Sequence, residues 1–167
     1  MSWYGSEPPL AGLLWGLGGS GSWALSCAAL AFVGARLRWW PDPVPSRRGH
    51  RIVLLTASVM AGAAVWLLCR HLGAPRPLLA VGAVAPLLVA LVLACTCFGK
   101  ISLHTSAAAA STTLLVLLVD VRWAVLYVLV AAIAWSRLQL GAHTPPQVLT
   151  GAGLGTAVCC ATAYWSR

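Results

Sequence analysis

A continuous apolar run occupies residues 78–98, LLAVGAVAPLLVALVLACTCF, and holds no charged residue. A helix needs roughly 20 residues to cross the hydrocarbon of a bilayer, so a run of this length predicts a transmembrane helix. Further apolar runs predict spans on either side of it, at residues 10–34, 52–69, 105–119, 123–136 and 148–165. The sequence therefore predicts an all-α, polytopic membrane protein of about six transmembrane helices, forming a single domain over residues 1–167.

The composition excludes a soluble protein. Of the 167 residues, 60% are hydrophobic and 8% are charged, and the mean hydropathy is +0.85. Such a chain has too few polar residues to cover a water-facing surface. The cysteines fall within or at the ends of predicted spans, where cysteine behaves as a small hydrophobe. Nucleic-acid binding is not expected despite the net charge of +8, because the basic residues flank apolar spans.

Basic residues cluster in the loop between the first two predicted spans. This loop, residues 36–51, contains five arginines and is opposed by Asp42 alone. Positive residues in short loops mark the cytoplasmic side of a membrane, so the N-terminus is predicted to lie outside. Because successive spans cross the membrane in opposite directions, residues 100–104 and 137–147 are predicted to lie on the same cytoplasmic side as this loop. A tight turn at residues 120–122 lies on the opposite side and joins the short fourth and fifth runs.

Two groups of polar residues lie at helix ends on the predicted cytoplasmic face. The first group is Lys100, Ser102 and His104, and the second is Ser136, Arg137 and His143. Lysine and arginine neutralise phosphate charge, hydroxyls donate hydrogen bonds, and paired histidines can supply a nucleophile and a proton donor. Because ionisable residues within a membrane usually mark functional sites, these two groups predict a phosphate site.

The second group has the spacing of a known signature. Residues 136–148, SRLQLGAHTPPQV, are followed by Gly151. They resemble the third signature of the type 2 phosphatidic acid phosphatase (PAP2) superfamily: Ser-Arg, five residues, His, three residues and Asp. Residues 101–104, ISLH, keep the Ser and His of the family's second signature, Pro-Ser-Gly-His, and replace its Pro and Gly. The resemblance covers about residues 99–155 and agrees with a six-span PAP2-like bundle that has both signatures on one face.

The resemblance implies hydrolysis of a phosphate ester or a diphosphate through a phosphohistidine, with no metal and no other cofactor. His143 would attack phosphorus, and His104 would protonate the leaving oxygen. Ser102 and Arg137, with Ser136 beside it in the signature, would hold the phosphoryl oxygens.

The family's first signature, Lys, six residues and Arg-Pro, is incomplete. Arg76 and Pro77 fit its end, but Cys69 stands at the position of the lysine. The predicted topology also places this loop on the opposite face from the other two signatures. Lys100 is therefore the candidate for the missing cation.

The third signature departs from the family at its last position. Gln147 stands where the family has Asp, one helical turn after His143. Its amide oxygen can accept the orienting hydrogen bond from the imidazole, but it carries no charge. Loss of the carboxylate in a Ser-His-Asp triad costs about 10⁴ in rate, so we expect compensation by another acid, a slow enzyme, or a scaffold with another role.

A cationic site that opens between helices suits a phosphate at the membrane surface with an apolar tail among the spans. The expected substrate is therefore a lipid phosphate or an isoprenoid diphosphate. The scarcity of carboxylates argues against a magnesium clamp, which needs Asp or Glu ligands.

Two alternatives stay open at this stage. A PAP2-like protein could ionise an isoprenoid diphosphate in the manner of a terpene cyclase and release diphosphate, with Trp123, Trp135 and Tyr127 facing the carbocation. A non-catalytic protein could instead bind a phospholipid without turnover.

The expected location is the cell membrane, as a multi-pass protein with its site on the cytoplasmic face, and the composition suggests a bacterial source. Membrane lipids are the expected partners beside the substrate, and the sequence leaves a homo-oligomer open.

Overall fold

The computed structural model of the chain describes residues 14–39, 47–96 and 98–165. Asp42, Cys97 and the first residues of the 10–34 run lie outside the described residues. Within these ranges the chain forms six helices and no strand. They are α1 Leu14–Arg36, α2 Arg48–His71, α3 Arg76–Thr96, α4 Leu103–Leu118, α5 Val121–Gln139 and α6 Pro145–Trp165. Each predicted apolar run coincides with one helix, so the all-α class is confirmed.

The helices differ in how well they fit a bilayer. Among the described residues, α1, α2, α3 and α5 are long and apolar enough to cross a membrane, whereas α4 is a shorter apolar helix of 16 residues. Helix α5 is longer than the fifth apolar run, because a 3₁₀ turn over Val121–Leu126 extends it to 19 residues. These helices make the chain a membrane protein; that α4 and α6 also span the bilayer stays a prediction.

The chain divides into two compact units between Ala83 and Val84, within α3. The prediction of a single domain stays a prediction. In the first unit, two indole groups connect neighbouring helices. Trp23 of α1 donates to the Ser58 carbonyl of α2 at 2.9 Å, and Trp66 of α2 donates to the Leu79 carbonyl of α3 at 2.9 Å. Few side chains of α1 and α2 are buried.

The second unit is organised around α4 and α6. A small apolar cluster is formed by Val84, Leu88, Ala110, Val158 and Cys159. Beside it lies a surface of close approach, which we term the α4–α6 seam. The seam consists of Ser102, Ser106 and Ala110 on the α4 side and Gly151, Gly155 and Cys159 on the α6 side.

Glycine is required at the α4–α6 seam because the two backbones nearly touch. A Cβ atom added at Gly151 would lie 2.7 Å from the Ser102 carbonyl oxygen, and one at Gly155 would collide with the carbonyl oxygen of Ser106. Small residues at four-residue spacing allow this approach in membrane helices. One turn later, the Cys159 thiol donates to the Ala110 carbonyl at 3.2 Å.

Candidate functional site

The segment before α4 is anchored at the end of the α4–α6 seam. Ser102 is the N-cap of α4, and its side chain is 0% exposed. Its hydroxyl accepts from the Thr105 backbone at 3.4 Å and bonds the Thr105 hydroxyl at 2.8 Å. This is the capping that a helix start requires. A direct contact between Ser102 and a phosphate would require the hydroxyl to leave the cap, and that role stays a prediction.

Two hydrogen bonds join this segment to the loop before α6 and to the first turn of α6. The Ser102 backbone amide donates to the Gln147 carbonyl at 3.3 Å. The Lys100 ammonium donates to the Ala142 carbonyl at 2.7 Å. The structure therefore brings the two predicted groups of polar residues together, at the ends of α4 and α6 where both helices begin. His104 lies exposed in the first turn of α4, and His143 lies half-buried beside Ala142.

A glycine turn sets the position of His143 relative to α5. Gly141 has φ of +61°, a left-handed conformation that glycine adopts without strain. Its amide donates to the Leu138 carbonyl at 2.9 Å, and the Ala142 amide donates to the Arg137 carbonyl at 3.1 Å. The His143 amide also donates to the Arg137 carbonyl, at 3.3 Å. The backbone of His143 is thus held at the last turn of α5.

Gln147 is in hydrogen-bonding contact with His143, as its predicted orienting role requires. The imidazole Nδ1 lies 3.2 Å from the Gln147 amide oxygen, which also accepts from the Thr144 backbone amide at 3.2 Å. Thr144 precedes α6, and the pattern Thr-x-x-Gln at a helix start is a capping box. Sequence reasoning missed Thr144, although this pattern was present to signal it.

Arg137 provides a half-buried cation in the last turn of α5. Its Nε atom is buried and has no hydrogen-bond partner among the described residues. Ser136, directly before it, is half-buried, and its carbonyl accepts from the Leu140 amide at 3.1 Å. A buried donor on a charged group is costly when unsatisfied, so an acceptor at this position would stabilise the protein.

Comparison with protein families identifies the family of the chain. The family model of the PAP2 superfamily matches residues 52–167. The chain belongs to the PAP2 superfamily. No curated protein and no solved structure matches it. The resemblance predicted from two signatures is therefore confirmed, as a divergent member, and membership supports a phosphatase-type activity in general.

The PAP2 match is wider than the two signatures. It begins within α2 and covers α3 to α6, whereas α1 lies outside it. Cys69 and Arg76 fall inside the match; Cys69 is near the end of α2, and Arg76 is exposed at the start of α3. That Arg76 and Pro77 form a loop end and not the family's first signature stays a prediction.

The electrostatics of the candidate site favour an anion. Lys100 and Arg137 lie at the ends of the segments joined here, and the N-termini of α4 and α6 add positive dipole ends. Among described residues 98–165, the only carboxylate is that of Asp120, at the other end of α4. The Arg122 guanidinium binds Asp120 at 3.0 Å, and this hydrogen bond lowers the pKa of the Asp120 carboxyl. No group of three or more metal-ligating side chains occurs in the part of the chain that the structure describes.

Proposed function

We propose that this PAP2 protein is an integral-membrane hydrolase that removes phosphate from a lipid phosphate or an isoprenoid diphosphate, without a metal, through a phosphohistidine. The observation that carries the proposal is the buried Nε–H group of Arg137. This donor belongs to the residue whose carbonyl holds the His143 amide. The proposal places a phosphoryl oxygen against this donor, in the same turn that holds the backbone of His143.

The first step is attack by His143. The bond from Nε2 to phosphorus forms while the bond from phosphorus to the leaving oxygen breaks, and His104 as imidazolium gives its proton to that oxygen. Lys100 and Arg137 neutralise the charge on the phosphoryl oxygens. Ser136 and Ser102 are proposed to bind the same phosphoryl group.

In the second step water attacks the phosphohistidine. His104, now neutral, accepts a proton from the water, the bond from nitrogen to phosphorus breaks, and inorganic phosphate leaves. A diphosphate substrate would yield a monophosphate, and a lipid monophosphate would yield an alcohol. Gln147 would orient His143 through both steps.

The surroundings of the site favour a membrane-bound substrate. The residues proposed to bind phosphate lie at the ends of apolar helices, and several large apolar side chains of α5 are exposed, such as Val128 and Leu129. A lipid substrate can place its headgroup at the helix ends and its tail along such surfaces. The basic loop between α1 and α2 supports a cytoplasmic orientation by its charge.

The test is product analysis with purified protein in detergent and EDTA, using farnesyl diphosphate and phosphatidic acid as substrates. We expect release of inorganic phosphate, and we expect His143→Ala and His104→Ala to reduce it at least 10²-fold. His71→Ala, a change of an exposed histidine at the end of α2, serves as the matched control and should retain activity. Undiminished phosphate release by His143→Ala would overturn the mechanism.

The same experiment separates the two alternatives. A cyclase-type reaction would give hydrocarbon and intact diphosphate. Of the aromatic residues considered for it, Tyr127 bonds the Thr113 hydroxyl at 2.8 Å, whereas Trp123 and Trp135 are exposed. Saturable binding of the phosphorylated lipid without any turnover would instead identify a binding protein, a role that the neutral Gln147 would permit.

A further inference from the structure

Three helices end in a left-handed turn, and one of these turns is made by an arginine. The turns after α2 and α5 are made by Gly73 and Gly141, with φ of +82° and +61°. The turn after α1 is made by Arg38, with φ of +60°. Among the residues that the structure describes, Arg38 is the only residue other than glycine with a positive φ.

The turn at Arg38 has the hydrogen bonds of a Schellman motif. The Arg38 amide donates to the Ala35 carbonyl at 3.1 Å, and the Trp39 amide donates to the Gly34 carbonyl at 2.8 Å. The same two bonds, at the same spacings along the chain, close the other two turns. Glycine is the usual residue in this position, because the left-handed conformation brings a Cβ atom close to the next carbonyl oxygen. Arg38 is therefore kept against the preference of the backbone, which indicates a role for its side chain.

The end of α1 lies beside the start of α2. A Cβ atom at Gly19 would lie 3.3 Å from the Cys69 sulfur, near the end of α2. Trp23, farther along α1, donates to the Ser58 carbonyl, which is nearer the start of α2. The two helices are therefore antiparallel, and the end of α1 and the start of α2 belong to one end of the pair.

That end of the pair is strongly basic. It carries Arg36 and Arg38 on the α1 side and Arg48 and Arg51 on the α2 side. The described residues of the first unit contain no carboxylate. The positive charge of this end thus attracts anions, as basic residues at a membrane surface do.

A second arginine is held at the same helix end. The Arg36 guanidinium lies 5.1 Å from the centroid of the Phe32 ring, a cation–π contact one helical turn away. The ring offers no oxygen acceptor, so this contact leaves the guanidinium able to donate two hydrogen bonds to one phosphate. Both Arg36 and Arg38 are exposed.

The surroundings of these arginines fit a lipid. Phe32, Val33 and Leu37 are large apolar side chains exposed just before or between the arginines. Trp39, directly after them, is also exposed, and tryptophan is enriched where a membrane meets water. An anion with an apolar tail can cover this apolar surface, whereas a soluble phosphate would leave it uncovered.

We propose that the end of α1 is a binding site for the phosphate of an anionic membrane lipid, with Arg38 and Arg36 as its contacting residues. Glycine at position 38 would relax the turn and lose the charge. The site belongs to the first unit and to a helix outside the PAP2 match. It therefore goes beyond the proposed hydrolysis and does not depend on it.

The test is native mass spectrometry of the full chain in detergent, titrated with phosphatidylglycerol or with phosphatidylcholine. The wild-type protein should bind phosphatidylglycerol more tightly. Arg38→Asn removes the charge and keeps a residue that tolerates the left-handed conformation. It should weaken phosphatidylglycerol binding about fivefold, the contribution of one basic residue near an anionic surface, and leave phosphatidylcholine binding unchanged.

Thermal unfolding of Arg38→Gly measures the strain. In detergent without lipid this variant should unfold at a higher temperature than the wild type, because glycine adopts the turn without strain. Added phosphatidylglycerol should raise its unfolding temperature less than that of the wild type, since a ligand stabilises in proportion to its affinity.

A matched control is available at Arg122, an exposed arginine of the second unit that is bound to Asp120. Arg122→Asn removes the same charge and should leave the affinity for phosphatidylglycerol unchanged.

Four results would overturn the site. They are equal affinity of the wild type for the two lipids, undiminished phosphatidylglycerol binding by Arg38→Asn, a lower unfolding temperature of lipid-free Arg38→Gly, and displacement of the lipid by an equal concentration of glycerol phosphate. The last result would identify a site for a soluble phosphate ester. Because these experiments measure binding and not turnover, a chain that released no phosphate would overturn the proposed hydrolase and leave the lipid site standing.

Discussion

The pairing of α1 with α2 and the pairing of α4 with α6 are two different solutions to helix association. In the first, Trp23 extends from one helix to a backbone carbonyl of the other, and most side chains stay exposed. In the second, glycines and small residues let the backbones themselves meet, and five hydroxyl-bearing side chains of α4 or its cap are buried or nearly so. The contact of Trp23 can adjust through a change of side-chain rotamer, whereas the backbone contact of the α4–α6 seam cannot.

This difference follows from what each pair positions. The α4–α6 seam ends at the two segments that hold the candidate catalytic residues, and its register decides whether Ser102 meets the Gln147 carbonyl. Of the first pair, α1 lies outside the PAP2 match, whereas most of α2 lies inside it. A rigid contact is therefore found where the chemistry is proposed.

The largest expected effect is that of Gly155→Ala. The new methyl group would collide with the Ser106 carbonyl oxygen and approach the Ala110 nitrogen to 3.0 Å. Overpacking of this kind costs about 1–3 kcal/mol, so thermal unfolding in detergent should occur at a clearly lower temperature.

Gly153→Ala is its matched control on the same helix. A Cβ atom there would have no neighbour within 4 Å. Replacing glycine by alanine within a helix stabilises it by roughly 0.5–1 kcal/mol, so the midpoint should stay or rise. An equal fall of the unfolding temperature in Gly155→Ala and Gly153→Ala would mean that the α4–α6 seam is not rigid.

The next largest loss of stability is expected for Trp23→Phe, in the first unit. This change removes the donor to Ser58 and keeps most of the aromatic surface, so the free energy of unfolding should fall by about 1 kcal/mol. The unfolding midpoint measures it. Trp135→Phe, at an exposed indole 64% accessible, should have no comparable effect; a larger loss than for Gly155→Ala would reverse the comparison.

A smaller loss of stability is expected for Thr113→Val, at a position of α4 that is distant from the candidate site. The Thr113 hydroxyl bonds Tyr127 of α5 at 2.8 Å and Thr156 of α6 at 3.4 Å. Interhelical hydrogen bonds in membranes are worth about 0.6 kcal/mol on average. Thr150→Val, at an exposed position of α6, is the control. A midpoint equal to that of the wild type would show that backbone approach alone holds the three helices.

The smallest effect is expected for Asp120→Asn, at the end of α4 away from the site. The Arg122 contact lowers the pKa of the Asp120 carboxyl in the folded protein. Its stabilising contribution is therefore present above the ordinary pKa of aspartate and is lost as the pH falls through the lowered value. The difference in midpoint between wild type and variant should be small at neutral pH and should vanish in acid; a difference that grew in acid would contradict this sign.

The apolar pattern predicted the helices closely and differed from the structure by a few residues at their ends. The run at residues 78–98 corresponds to the helix Arg76–Thr96, which begins at an arginine that the apolar pattern excludes. The run at residues 123–136 became Val121–Gln139. Arg122 interrupted the apolar pattern there, but its charge is bound by Asp120, so it continues the helix.

The residues of the candidate site stay a prediction, and among their contacts the sequence predicted only the local one between His143 and Gln147. Signature spacing selected His143 and Gln147, and local chain geometry was enough to place them within one turn. The close approach at Gly155 could not be read from one helix, because it depends on the partner backbone. The buried Nε of Arg137 and the buried hydroxyl of Ser102 likewise result from tertiary packing.

The length of α4 has a consequence for the lipid around it. Its 16 residues rise about 24 Å, whereas the hydrocarbon of a bilayer is about 30 Å thick. Hydrophobic mismatch of this size is relieved by local thinning of the bilayer or by recessed helix ends. If α4 crosses the bilayer as predicted, headgroups next to it would dip toward its N-terminus, and a phosphorylated lipid would meet the candidate site without its tail leaving the leaflet.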